Sequence, residues 1–404
     1  MKQNFDNHHF REQFPAIKNI GMVYLDSAAT ALKPQVMIDT INDYFANNGA
    51  TVHRSLHQTG KETTEQYEAA RYKCASLINS PAVENVIWTR GATESINMIA
   101  YGYLQHAIKD GDEIIINDAE HHSNLIPWLM VAKIKGAKIV RLPLRENGTI
   151  DVQCLDTLIS AKTKFIALTQ MSNVTGFMPD IQAVIEKAHR KGVKVAVDGA
   201  QGAAHSPLDV IASGIDFYVL SAHKMYGPTG VGVLYYSPNI ADEFFPVYGG
   251  GQMLSTLEGE TIIPKKSPFK YEAGTPNIAG ILGFGAVLDW LKNYDMEVLK
   301  NHSKQLVDII DRELQSTVPG YIRYSQPGSS ILSFNISGLH HVDFSTLLSE
   351  FGISIRSGKH CAIPLMKHFG ISGTLRASLA PYNNESDAFH FIDAIKQTLK
   401  ILRP

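Results

Sequence analysis

Three cysteines, Cys74, Cys154 and Cys361, are all that the 404 residues contain, and no two of them share a CxxC spacing. A disulfide framework or a cysteine-ligated zinc site is therefore not expected, and a reducing, cytoplasmic setting is. No run of about 18 apolar residues occurs, so no membrane-spanning helix is expected. The polar first ten residues lack the apolar core of a secretory signal. Charge of one sign is also scarce: 37 Lys and Arg stand against 39 Asp and Glu, for a net charge of −2. That balance offers no basic field to nucleic acid or to an anionic membrane. Internal repeats and low-complexity segments are missing too. What remains is an ordinary globular composition, 44% hydrophobic and 19% charged, in a chain long enough for two domains.

Between about 85 and 235, short apolar runs alternate with amphipathic segments. The runs 85–88, 113–117, 138–142, 164–169, 193–197, 217–220 and 231–235 read as strands. Segments 93–108, 124–135 and 181–191 read as helices, with Gly111, Gly136 and Gly192 as stop signals. This alternation predicts a mainly parallel seven-stranded sheet covered by helices on both faces, an α/β fold. Upstream, 61–78 reads as a helix with Tyr67, Ala70 and Cys74 on one face, so Cys74 is expected in a core; Cys154 reads the same way. Stretch 239–275 is loop-rich and holds Gly249, Gly250 and Gly251. Segments 277–294 and 295–315 read as helices, and beyond Pro319 the pattern becomes α+β. The division expected is a large domain, 21–294, and a smaller C-terminal domain, 295–404 together with 1–20, which carries the Cys361 loop.

Ligands of such sheets sit at the carboxyl ends of strands, and that is where the reactive residues fall. Lys224 lies between two apolar runs in Ser221-Ala222-His223-Lys224-Met225-Tyr226-Gly227. A lysine there is costly to desolvate as a cation, and covalent linkage to a carbonyl cofactor is one way to keep it. A surface lysine in a Gly/Pro turn is the alternative. Asp198 ends an earlier run, in Asp198-Gly199-Ala200-Gln201. A carboxylate there suits a protonated pyridine nitrogen, although it also suits an ordinary turn cap. Gly91, Ala92 and Thr93 stand where a strand gives way to a helix, a place that can cradle a phosphate. His121 and His122 lack a third metal ligand at a recognisable spacing, so no metal is expected; an imidazole stacked on an aromatic cofactor is the other functional reading. Cys361 stands on a loop with Arg356, Lys359 and His360, and cationic neighbours favour a thiolate nucleophile. Arg376, in an apolar run, needs an anionic partner: a substrate carboxylate, or an internal Asp or Glu.

Taken in order, the 221–232 stretch, the Asp198 turn, Glu272-Ala273-Gly274-Thr275-Pro276-Asn277 and the 356–365 loop resemble those of the cysteine desulfurases of the class V aminotransferase superfamily. The resemblance runs from about residue 20 to the C-terminus. The short cysteine loop resembles the SufS/CsdA group. Gly338-Leu339-His340-His341-Val342-Asp343 and the stretch 373–383 are similar to its CsdA, cysteine sulfinate desulfinase, branch.

The resemblance implies fold type I of the pyridoxal 5′-phosphate (PLP) enzymes and a homodimer that converts L-cysteine, L-selenocysteine or L-cysteine sulfinate to L-alanine. It further implies that sulfur passes to a small acceptor protein, for iron–sulfur cluster assembly or other sulfur trafficking. Carried onto this chain, Lys224 links to the cofactor, Asp198 meets the pyridine nitrogen, His121 stacks on the ring and Gln201 meets its phenolic oxygen. Thr93, Ser221 and His223 bind the phosphate, and Thr275 reaches it from the other subunit. Arg376, Asn173 and Arg356 face the substrate, and Cys361 becomes a persulfide. Ala92 and Lys359 depart from the pattern, which puts a hydroxyl before Thr93 and a His or Gln at 359. The competing reading is a class V PLP aminotransferase or lyase that uses no thiol.

Overall fold

The computed structural model describes residues 5–403, so residues 1–4 of the expected N-terminal segment lie outside the described residues. A seven-stranded sheet forms the centre, in the order Val86–Thr89, Gly232–Tyr236, Phe217–Ser221, Lys194–Asp198, Thr163–Thr169, Glu113–Asn117 and Lys138–Leu142. Every apolar run read as a strand is therefore one. The last five in that order pair in parallel. Gly232–Tyr236 runs antiparallel to both neighbours. The connection 222–231 is too short for a covered crossover, so the chain returns in the opposite direction.

The pleat sends alternate side chains to opposite faces. Tyr218 and Leu220 enter one core with Ile115, Ile166 and Val195. Phe217 and Val219 enter the other with Ile114, Phe165 and Ala196. Helices Gln58–Leu77, Ile181–His189 and Ile278–Leu291 supply the first core, where Cys74 is fully packed. Helices Ala92–Ile99 and Ile126–Lys135 supply the second. With both faces covered, only the strand ends open to solvent.

The C-terminal part builds a four-stranded antiparallel sheet, ordered Tyr321–Arg323, Ile331–Ile336, Thr374–Ser378 and Arg356–Gly358. Helices Met296–Thr317, His341–Glu350 and Glu385–Leu402 close a third core on one of its faces. Strand Thr374–Ser378 again splits by the pleat: Leu375 and Ala377 enter that core. Arg376 is turned the other way, toward the large sheet, where it bonds the Asn173 carbonyl. Strand Val23–Tyr24 joins this part, pairing in parallel with Ile353–Ser354.

The stretch 239–275, read as loop, contains a hairpin, Leu254–Glu258 against Thr261–Pro264. Neither strand has a buried residue, so it carries none of the alternation that marks a half-buried strand. No helix among the described residues is long and apolar enough to cross a membrane.

Candidate active site

A cavity of about 190 Å³ opens at the carboxyl ends of the parallel strands, beneath the C-terminal sheet. Thr93, His121, Asn173, Asp198, Gln201, Ser221, His223, Lys224, Arg356, Cys361 and Arg376 all line it. Residues 93 and 376 are thus brought together from opposite ends of the chain. Of the site residues expected from sequence, Thr275 alone lies elsewhere. It borders a separate groove with Tyr248, Gly249 and Gly250.

Lys224 sits at the end of a tight turn that follows strand Phe217–Ser221. The carbonyl just before it, on His223, accepts from Ala31 N–H at 3.0 Å, Thr30 Oγ1 at 3.2 Å and Lys33 Nζ at 2.8 Å. Three donors on one oxygen fix the backbone from which the lysine projects. Among the described residues its amine has only Gln201 Oε1, at a long 3.4 Å. Desolvation lowers Lys224 to about 8, partly opposed by Asp198. A lysine whose pKa is brought down in this way supplies more of the free amine that covalent attachment to a carbonyl requires.

Asp198 ends the neighbouring strand and is buried. Its Oδ1 accepts the Ala200 N–H at 2.9 Å, and it makes no ion pair among the described residues. Burial raises its pKa, against the pull of that N–H and of Lys224. A buried carboxylate so sparsely satisfied fits a cationic ring nitrogen. His121 caps a short turn, with Nδ1 accepting the Ser123 N–H at 3.1 Å. Desolvation, then the charge on Lys224, pushes it down to about 4, so the imidazole is neutral with its proton on Nε2.

The expected phosphate cradle is built from close approaches. Gly91 has φ 148°, and a Cβ on Gly232 would fall 2.4 Å from the Gly91 Cα. Both positions must be glycine for the strand to pass so near the start of helix Ala92–Ile99. Ser221 Oγ accepts the Ala92 N–H at 2.8 Å, and Thr93 Oγ1 lies 2.7 Å from Ser123 Oγ. An anion there meets a helix N-terminus and hydroxyl groups. The linked set of amine, buried carboxylate and phosphate cradle fits PLP.

Arg376, 2% exposed, proves to have an internal partner. Nη2 donates to Asp26 Oδ1 at 2.9 Å and Nη1 to the Asn173 carbonyl at 3.2 Å, while Nε is buried without a partner. The internal carboxylate therefore orients the guanidinium, which still lines the cavity and keeps one buried N–H without a partner. Asp26 is a site residue that sequence reading missed. It ends the short apolar segment 23–25, and nothing local marks it. Asn173 Nδ2 donates to the His360 carbonyl at 2.8 Å, so this side chain holds the cysteine loop as well as lining the cavity.

In that loop one expectation is corrected. His360 is not a cationic neighbour of the thiol. Its ring turns inward, with Nε2 2.9 Å from Thr374 Oγ1, and burial pushes it down to about 3. Of the three basic neighbours, Arg356 and the neutral His360 share the cavity wall with Cys361, and Lys359 stays exposed outside it. His360 and Cys361 both have positive φ, 49° and 56°. Behind the adjacent groove, Glu272 accepts from buried Arg71 through both carboxylate oxygens and from the Trp88 N–H. That anchors the segment leading to Thr275.

The chain as a whole is similar to known proteins. The aminotransferase class-V family model matches residues 23–391. Cysteine desulfurase CsdA of Escherichia coli (strain K12) is 46% identical over 398 residues, covering 98% of this chain and 99% of that protein. A probable cysteine desulfurase of Vibrio cholerae is 41% identical, covering 97% and 98%. The crystal structure of the E. coli CsdA S-sulfonic acid form superposes with a TM-score of 0.94 at 45% identity, covering 99% of this chain and all of that one.

Proposed function

The chain belongs to the class V aminotransferase family, and we propose that, as a PLP-dependent cysteine desulfurase of fold type I, it moves the sulfur of L-cysteine onto Cys361 as a persulfide, leaves L-alanine and passes the sulfur to a small acceptor protein. One observation carries the persulfide step: the Cys361 thiol, the Lys224 amine, the Asp198 carboxylate and the Arg376 guanidinium share one cavity of about 190 Å³.

When bound, PLP supplies an electron sink that makes bonds at the substrate's α- and β-carbons labile. Lys224 would hold it through Nζ, Asp198 at the ring nitrogen, Gln201 at the phenolic oxygen, and Thr93, Ser221 and His223 at the phosphate. His121, neutral, covers the ring. Arg376 grips the substrate carboxylate, with Asn173 and Arg356 beside it. Lys224 Nζ, once the substrate amine has released it from its link, takes the proton from the substrate Cα. Cys361 thiolate attacks the substrate sulfur: an S–S bond forms, the Cβ–S bond breaks, and its electron pair stays on Cβ; protonation of Cβ and return of a proton to Cα then give alanine. L-Selenocysteine and L-cysteine sulfinate present the same carboxylate and are further substrates. Residues 21–294 form the cofactor-binding part, and 295–404 with 1–20 the part that carries the thiol, in a cytoplasmic homodimer in which Thr275 of one copy completes the phosphate site of the other.

The test is single-turnover reaction of the PLP-loaded protein with L-cysteine, followed by peptide mass spectrometry. One added sulfur atom is expected on the Cys361 peptide, in step with alanine, and Cys361→Ala should release almost no alanine from L-cysteine. Undiminished alanine release by that variant would favour a thiol-free aminotransferase or lyase.

A further inference from the structure

The two left-handed residues of the thiol loop need an external hold. A non-glycine residue in that region costs about 1–2 kcal/mol, and two occur in succession at His360 and Cys361. Such a conformation persists only where its surroundings over-determine it. The loop's own turn, Ala362 N–H to the Lys359 carbonyl at 2.9 Å, is local and does not tie it to the large sheet.

One tie is the Asn173 amide on the His360 carbonyl; a second, on the other side of the thiol-bearing Cα, comes from His122, a residue with no role so far. Its backbone N–H donates to the Cys361 carbonyl at 2.8 Å. Its ring Nε2 accepts the Ile363 N–H at 3.2 Å. One residue of the cofactor-binding part therefore clamps the backbone at two points just after the thiol-bearing residue. The second bond also meets a need of helix Ile363–His368. Ala362, its N-cap, has no side-chain acceptor, and Pro364 has no N–H, so the Ile363 N–H is the helix's first unpaired donor. His122 caps that helix from another part of the fold. The ring must be neutral and protonated on Nδ1 to accept at Nε2, and desolvation lowers its pKa in the direction that keeps it so. Its neighbour His121 faces the cavity, so the adjacent pair divides its work: one ring for the cofactor site, one for the nucleophile's loop.

We propose that His122 is a positioning residue that clasps the Cys361 loop through the Cys361 carbonyl and the Ile363 N–H, and so holds the thiol facing the cavity for sulfur transfer. Its structural part stands on the two bonds alone; its kinetic part rests on the persulfide reading.

The test uses the PLP-loaded full chain with two variants, and the backbone bond survives in both. His122→Phe keeps an aromatic ring without an acceptor. His122→Gln keeps an acceptor at similar reach. The first readout is the rate of iodoacetamide alkylation at Cys361, resolved from Cys74 and Cys154 by peptide mass. It should rise about three- to tenfold in His122→Phe, the population change that losing one hydrogen bond produces, and return toward wild type in His122→Gln. The second readout is kcat on two substrates. With L-cysteine, kcat should fall by a similar factor with little change in KM. L-Cysteine sulfinate can lose sulfinate as a stable anion without a thiol acceptor, and its turnover should fall much less. The cofactor absorbance should be the same in all three proteins. Unchanged alkylation in His122→Phe, or equal losses on both substrates, would overturn the clasp. Wild-type protein that never forms a Cys361 persulfide would overturn the persulfide reading instead, and the alkylation comparison would still decide whether His122 holds the loop.

Discussion

Replacing Arg376 by alanine removes the carboxylate grip while leaving the thiol, the lysine and the cofactor cradle in place. The guanidinium is 2% exposed, with Nη2 donating to Asp26, Nη1 to the Asn173 carbonyl and Nε buried without a partner. A substrate carboxylate in the cavity that Arg376 lines gains charge-assisted bonds from this guanidinium. Truncating one partner of such a pair costs about 2–5 kcal/mol. At about 1.36 kcal/mol per factor of ten, kcat/KM for L-cysteine should fall about 30- to 5000-fold. The loss belongs in the upper part of that range, because Asp26, the internal partner of Arg376, is also left without its cation. Adding Asp26→Asn to Arg376→Ala should therefore recover part of the loss, and the two single effects should not sum. Arg376→Lys should lose less than alanine, since a point charge replaces a fork. The assay is alanine release at subsaturating L-cysteine and L-cysteine sulfinate, with the cofactor spectrum and a melting curve as controls. Both substrates should suffer, because both carry the carboxylate. A folded, PLP-loaded Arg376→Ala whose kcat/KM lies within about threefold of wild type would refute the clamp, and Arg376 would be a structural partner of Asp26 only.

Lys224 attacks a carbonyl only as the free amine, and its amine is lowered to about 8. The rate of PLP uptake by apo-protein should therefore climb about tenfold between about pH 7 and about pH 9 and then level, whereas a lysine at its ordinary value near 10.4 would keep climbing; a rate still rising steeply past about pH 10 contradicts the assigned environment. The groove that holds Thr275 predicts a dimer of the 44.5 kDa chain in sedimentation, with Thr275→Ala weakening PLP retention; a fully active single chain would exclude a shared site. Arg71 is fully buried against Glu272. Glu272→Ala removes the buried, two-oxygen partner of that cation, leaves it the more exposed Glu68, and should cost about 3–5 kcal/mol in denaturant unfolding. A loss below about 1 kcal/mol, the scale of an exposed pair, would mean that Glu68 and the Val86 carbonyl suffice for Arg71.

The seven strands of the large sheet were legible because each is a short apolar run, and such runs report burial through neighbours in the chain itself. Lys224, Asp198 and Arg376 stood out for the same local reason: each interrupts or ends an apolar stretch, so each asks for a chemical explanation, while Cys361 stood out as a loop thiol among basic residues. Pairings across the chain carry no such mark. Asp26 meets Arg376 350 positions away, and His122 meets Ile363 241 away. Neither contact follows from periodicity, because each exists only once two cores have packed face to face. The inward turn of His360 and the left-handed backbone at 360–361 are likewise consequences of packing against Thr374, Asn173 and His122. The antiparallel return of Gly232–Tyr236 was decided by a connection too short to cross over, and the exposed hairpin at 254–264 by backbone pairing without a buried face. Local burial and chemistry, which residue order encodes directly, determined the elements and the reactive groups. Orientation, charge partners and the hold on the nucleophile came from contacts between distant segments, which only the folded chain brings within hydrogen-bond reach.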